Sequence, residues 1–159
     1  MPIYNALQNV VSLLQIYLQH IVNKCSVIIF WRIYTIGKFV IKQTPTGYNF
    51  HLKAGNGETI GTSEVYTTLA ACRNGVESVI NNAAKANVED QTVEGFETCK
   101  HPKFEIYTDK AGEFRFRLKA TNGEPILASE GYTSESGVEN GVASVVKNAA
   151  DATVVEEVE

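Results

Sequence analysis

Apolar and polar residues follow one another along this chain with two periods that alternate. Ile3, Leu7, Val10, Leu14, Tyr17 and Ile21 come at steps of four and three, which predicts an amphipathic helix. From Phe39 the period falls to two. Phe39 and Ile41 alternate with Lys38, Val40 and Lys42, and Tyr48, Phe50 and Leu52 alternate with Asn49, His51 and Lys53, so two half-buried strands are expected. A third strand is predicted over about 59–64 with Ile60 inward. Beyond Tyr66 the helical period returns in Cys72, Val76, Val79, Ile80 and Ala83. A helix over about 68–86 is predicted, with Thr67 or Thr68 as its cap.

Turn residues fall where these periods break. Thr44-Pro45-Thr46-Gly47 combines a fixed φ with a glycine, and Asn56-Gly57 suits a type I′ hairpin turn, with positive φ at both residues. Strand, turn, strand, turn, strand is a meander, and a helix follows it. The same plan then recurs. Leu52-Lys53-Ala54-Gly55-Asn56-Gly57-Glu58 returns as Leu118-Lys119-Ala120-Thr121-Asn122-Gly123-Glu124. Ser63-Glu64-Val65-Tyr66-Thr67 returns as Ser129-Glu130-Gly131-Tyr132-Thr133, and Asn74-Gly75-Val76 as Asn140-Gly141-Val142. Phe104, Ile106, Phe114, Phe116 and Leu118 supply the second meander's inner face, and Val138, Val142, Val145, Val146 and Ala149 its helix stripe. The recurrence divides the chain into an extension (1–36), a first repeat (37–88), an acidic linker (89–100), a second repeat (101–155) and an acidic, solvated tail (156–159).

A unit of some fifty residues buries too small a share of its surface to be secure alone. The two repeats are therefore expected to pack on each other as one α+β domain, two tandem β-β-β-α(-β) units about an approximate two-fold axis. Gly75 and Gly141, at matching places inside the two helices, predict close approach of helix backbone to sheet.

The extension joins neither repeat. It has no charged side chain before Lys24, yet Asn5, Gln8, Asn9, Ser12, Gln15, Gln19 and His20 put a polar group on every turn, which a lipid-spanning helix does not tolerate cheaply. A helix docked on its own domain, or joining two copies as a homo-oligomer, is favoured over a membrane-peripheral one, whose polar face would carry Lys or Arg. Residues 26–36 are rich in β-branched and aromatic side chains and read as a strand-like run.

Composition narrows the function classes only slightly. With 44% hydrophobic and 20% charged residues, the chain of 159 is an ordinary globular one. Its net charge of −4 argues against a surface wholly devoted to nucleic acid, leaving room for a local basic strip. Three cysteines, Cys25, Cys72 and Cys99, share no metal-ligand or disulfide spacing, so no metal and no cofactor are expected, and a reducing, cytoplasmic setting is the simplest reading.

The pattern aromatic-x-aromatic-x-Leu-Lys-Ala-x-Asn-Gly-Glu, then Ser-Glu-x-Tyr-Thr, then Asn-Gly-Val-x-Ser-Val-x-x-Asn-Ala, spanning 48–84 and 114–150, resembles the YegP-like family of small bacterial proteins. The resemblance covers about residues 37–155 and implies two meander-plus-helix units assembled together. It implies no catalytic residues, and residues 1–36 depart from it.

Three chemical readings follow from the residues. Arg115, Arg117 and Lys119 in one repeat, with His51 and Lys53 in the other, form a candidate basic strip for phosphate backbone or an acidic partner. The paired Ser-Glu-x-Tyr clusters, Ser63, Glu64 and Tyr66 with Ser129, Glu130 and Tyr132, contain a hydroxyl beside a carboxylate, but no base recurs to complete a nucleophile, so a non-enzymatic binding or structural module is preferred to an enzyme. Cys72 falls on the inner helix face and reads as a small buried hydrophobe. His51 reads as a solvated sheet residue.

Overall fold

The computed structural model describes residues 36–158. The first meander is β1 (Lys38–Thr44), β2 (Gly47–Lys53) and β3 (Thr59–Thr62), followed by helix α1 (Leu69–Ala83) and a short strand β4 (Asn87–Asp90). The second runs β5 (Lys103–Thr108), β6 (Phe114–Lys119), β7 (Pro125–Ala128), helix α2 (Glu135–Ala149) and β8 (Thr153–Glu157). The expected extension helix, its homo-oligomeric or membrane role and the strand-like run lie outside the described residues. Among the described residues no helix is long and apolar enough to cross a membrane.

Among the described residues all eight strands form one sheet in the order β4-β5-β6-β7-β3-β2-β1-β8. Each meander pairs antiparallel within itself, and the two meet where β3 and β7 pair at Thr62 and Ala128. The outer strands are exchanged. β4, which follows the first helix, lies parallel to β5 of the second half, and β8, which follows the second helix, lies parallel to β1 of the first. Each half thus completes the other's sheet, so the dependence predicted from the size of a single repeat is met by reciprocal donation of a strand.

Two segment boundaries shift in consequence. Glu89 and Asp90 belong to β4, whereas the sequence reading put them in the linker, and Glu156 and Glu157 end β8, whereas it put them in a solvated tail. Short strands of this kind carry little periodicity, and their pairing partner is far away in sequence. Arg73 of α1 holds Glu156 through two hydrogen bonds of 2.7 and 2.8 Å, and Lys42 of β1 lies 3.3 Å from Glu157.

The two helices cover one face of the sheet. α1 packs on β2 of its own half and β7 of the other; α2 packs on β6 and also on β3. Thr68 and Ser134 cap them by accepting from the backbone N–H groups of Ala71 and Gly137. Between helices and sheet lie Phe39, Phe50, Phe104 and Phe116, each fully buried, with the edge-on pairs Phe39–Phe50 and Phe104–Phe116. Cys72 is buried among them, as its place on the helix stripe predicts.

Candidate functional site

The repeated Asn-Gly dipeptides make the β2–β3 and β6–β7 turns. Gly57 and Gly123 take φ of +88° and +86°, which is why glycine stands there. Asn56 does not take a positive φ, so the turn is not the expected type I′. The Gly57 N–H donates to the Ala54 carbonyl and the Ala54 N–H to that of Glu58, closing a longer loop. In the first turn the Glu58 N–H donates to the Asn56 side-chain oxygen at 3.1 Å, and Asn56 returns a bond to the Glu58 carboxylate at 2.9 Å. In the second, the Glu124 N–H donates to Asn122 at 3.1 Å.

The repeated tyrosines follow the third strands. Tyr132 pairs its backbone with that of Phe114 and stacks its ring on Phe116 at 6.4 Å; Tyr66 does the same with Tyr48 and Phe50, the rings 6.2 Å apart. The phenol of Tyr132 then rests on the backbone of Gly141, and that of Tyr66 on Gly75. A Cβ at Gly141 would lie 2.7 Å from Cζ of the ring, and one at Gly75 2.6 Å. Here is the close approach predicted from the two helical glycines.

These features converge. Because α2 packs on β3, the hairpin turn of the first half faces the helix of the second across a cleft of about 240 Å³. Asn56 and Glu58 come from the turn; Tyr132, Asn140, Gly141 and Ser144 come from the other half. Asn140 and Ser144 stand one turn apart on a single helix face. Apart from Thr59 and Gly137, whose counterparts are Pro125 and Ala71, every lining position has the same residue in the other repeat. Equivalent residues Asn122, Glu124, Tyr66, Asn74 and Ser78 stand on the matching turn and helix, and Thr121 of that turn donates to Asn82 of α1 at 2.9 Å.

Internal structure accounts for part of this repetition. The asparagine shapes the turn, the glycine admits the ring, and Ser144 accepts from Asn148 at 3.2 Å. It does not account for Asn140, which is exposed and makes no side-chain hydrogen bond among the described residues, and it uses the Glu58 carboxylate only for the bond from Asn56, which has no counterpart at Glu124 among the described residues. Burial, followed by the charges of Glu130 and Glu58, pushes the Tyr132 phenol above its ordinary value, so it stays protonated and can donate or accept.

The basic strip is placed differently from a continuous track. Arg115 is paired with Asp109 and, at 3.5 Å, with Glu113; Arg117 is paired with Glu105; Lys119 lies 3.2 Å from Glu105. Arg117 also lies over the Tyr107 ring at 5.2 Å. β7 and β3 separate these residues from His51 and Lys53, a gap of about 14 Å at ordinary strand spacing. His51 is half-buried and bonded to Thr62 at 3.0 Å; burial, then the charges of Lys42 and Lys53, holds its pKa below the ordinary 6.5, so it is uncharged at neutral pH.

Both serines of the Ser-Glu-x-Tyr clusters are engaged with backbone. Ser63 accepts from the Phe50 N–H at 2.9 Å and donates to the Glu64 carbonyl at 2.8 Å, and Ser129 accepts from Phe116 at 2.9 Å. They border a cleft of about 270 Å³ at the β3–β7 seam, with Glu64 and Glu130 at its rim. Among the described residues no group of three or more His, Cys, Asp or Glu side chains is arranged to hold a metal.

Sequence reasoning missed a buried charge cluster on the outer face. Glu89 and Glu105 lie side by side in register on β4 and β5, and Lys103 reaches both, at 2.7 and 3.0 Å. Burial alone would raise the Glu89 carboxyl. Bonds from Lys103, Gln91 and the Cys99 N–H overcome it and hold the pKa down at about 2.

Comparison with known proteins agrees with this architecture. The chain matches the domain of unknown function DUF1508 twice, over residues 46–90 and 109–156. A UPF0339 protein of Photorhabdus laumondii is 38% identical over 121 residues, 75% of this chain and 92% of that protein. A UPF0339 protein from the ptx operon 5′ region of Stutzerimonas stutzeri is 75% identical over 48 residues, a match that spans 30% of this chain and 43% of the relative. The solution structure of yegP from E. coli, a protein of unknown function, superposes with a TM-score of 0.64 at 33% identity, covering 78% of this chain and 95% of that one. With two matched copies of the domain and the same fold in a solved relative, this chain belongs to the DUF1508 family, the YegP-like proteins of unknown function.

Proposed function

We propose that this chain is a non-enzymatic binding module whose inter-repeat cleft, and the matching turn-and-helix position of the other half, each take one small cationic, hydrogen-bond-donating group, an alkylammonium or a guanidinium. The observation that carries the reading is the recurrence of Glu58 and Asn140 as Glu124 and Asn74, since the helix has no bond for the asparagine and the turn bond from Asn56 to Glu58 is not repeated at Glu124 among the described residues. A carboxylate, an amide oxygen and a phenol oxygen are all acceptors, and together they suit a donor with positive charge. A volume of about 240 Å³ fits one such group and little more. Engagement of Ser63 and Ser129 with backbone supports a non-catalytic role. Cys72 and Cys99, both free thiols, are in keeping with a reducing, cytoplasmic setting.

Binding of nucleic acid or an acidic partner on the basic faces is a separate reading. It is less favoured, since Arg115, Arg117 and Lys119 already hold carboxylates.

Titration of isotopically labelled protein with agmatine, and with glycerol as a neutral control, tests the proposal. Saturable shifts are expected at the amides of Gly57 and Asn140 and of Gly123 and Asn74 with agmatine alone. Shifts spread over every exposed carboxylate, or equal shifts with glycerol, would overturn it.

A further inference from the structure

The two halves carry largely the same residues at the inter-repeat turn and helix positions and differ at their outer flanks. In the first half, Arg73 on α1 reaches across to Glu156 on the edge strand β8 and closes the gap between helix and sheet with two hydrogen bonds. The equivalent residues in the second half are Glu139 on α2 and Asp90 on β4, so both sides of the gap carry carboxylates there. Like charges cannot bridge it. Glu77, on α1, is also replaced on α2 by the smaller Ala143.

An open groove of about 540 Å³ results, with Val88, Ile106, Val142 and Val146 along its apolar floor. Val88 is 53% exposed and Val146 39%, and both line the groove. Asp90 and Glu139 flank the floor, and Lys147 is the one cation lining it. Among the described residues neither Glu139 nor Lys147 is in an ion pair; Asp90 accepts from the backbone and hydroxyl of Thr92 through one carboxylate oxygen, which leaves its charge uncompensated.

The geometry points to this groove as the docking site for a segment of a partner polypeptide in which an arginine stands next to aliphatic side chains. The first half shows the complement within the same molecule, since the guanidinium of Arg73 occupies the place between helix and edge strand that is vacant in the second. An incoming arginine would lie between Asp90 and Glu139, and its aliphatic neighbours would cover Val88 and Val146. Charge selects the partner and the apolar floor anchors it. This site is separate from the inter-repeat clefts and does not depend on the reading given to them.

A fluorescein-labelled peptide of alternating leucine and arginine, titrated at physiological ionic strength against the full chain carrying Glu58→Gln and Glu124→Gln, so that the inter-repeat clefts no longer offer a carboxylate to its guanidinium groups, tests the assignment. Saturable binding is expected. Glu139→Arg should weaken it at least tenfold by letting the second half form the bridge of the first, and Ala143→Trp should do the same by filling the groove. Glu64→Arg, which makes the same change of charge outside the groove, should leave binding within twofold. Circular dichroism checks that each variant folds, and the two groove variants act by different means, so failure of one leaves the other as a test. Absence of saturable binding, or equal loss in Glu139→Arg and Glu64→Arg, overturns the proposal. Self-association of the unaltered chain that Glu139→Arg abolishes would assign the groove to a second copy and overturn it as well.

Discussion

The Lys103 ammonium lies 2.7 Å from the Glu89 carboxylate, and both side chains are buried. Glu89 comes from the strand that the first half donates and Lys103 from the strand that receives it, so this ion pair is part of the joint between the halves. Glu105 is the second carboxylate on the same ammonium, at 3.0 Å. Replacing Lys103 by Met would leave two buried, adjacent carboxylates without their shared cation. A loss of about 3–5 kcal/mol in unfolding free energy is expected, measurable by urea denaturation.

Acid should loosen the same joint. The Glu89 carboxyl has a pKa of about 2 when folded, against an ordinary 4.5. Between those values the unfolded chain holds the proton and the folded chain does not, so stability falls as pH drops from about 4.5 toward 2. Glu89→Gln is expected to flatten that part of the stability curve, as followed by thermal melts at successive pH values.

Gly141 has no room for a methyl group. A Cβ there would lie 2.7 Å from the Tyr132 ring and 3.0 Å from Phe116. Gly141→Ala should therefore be net destabilising, by about 1–2 kcal/mol, even though alanine gains about 1 kcal/mol in helix propensity over glycine. Tyr132→Phe should not rescue it, because the ring carbon obstructs as well as the hydroxyl.

Much of the fold is legible in the sequence because it is local. Phe39, Ile41, Phe50 and Leu52 mark strands by alternation, Val76 and Val79 mark a helix face, and Asn56-Gly57 marks a turn. Reciprocal exchange of β4 and β8 is not legible. Four residues such as Asn87–Asp90 have no period of their own, and their parallel pairing with β5 is set by the completed sheet. That is also why Glu89 reads as linker when it is a buried ion-pair partner. The cleft is legible only in part. Asn56 reads as turn chemistry and Gly141 as packing, and both readings hold. The signal for the rest was the recurrence of Asn140 without a local bond, and of Glu58 with a turn bond in one copy alone.

If each half completes the other, damage in either must be felt by both. Phe50→Ala and Phe116→Ala are each expected to cost about 3–5 kcal/mol. In each variant the amide signals of β2 and β6 should vanish at one common denaturant concentration. Loss of one meander while the other persists would contradict the exchange of strands.

Isothermal titration of the full chain with agmatine tests the central claim, that packing of each helix against the other half builds two equivalent recognition sites, most directly. Two equivalent sites per chain are predicted, falling to one in Glu58→Gln and to none when Glu124→Gln is added. A single site, or two that persist in the double variant, would contradict it.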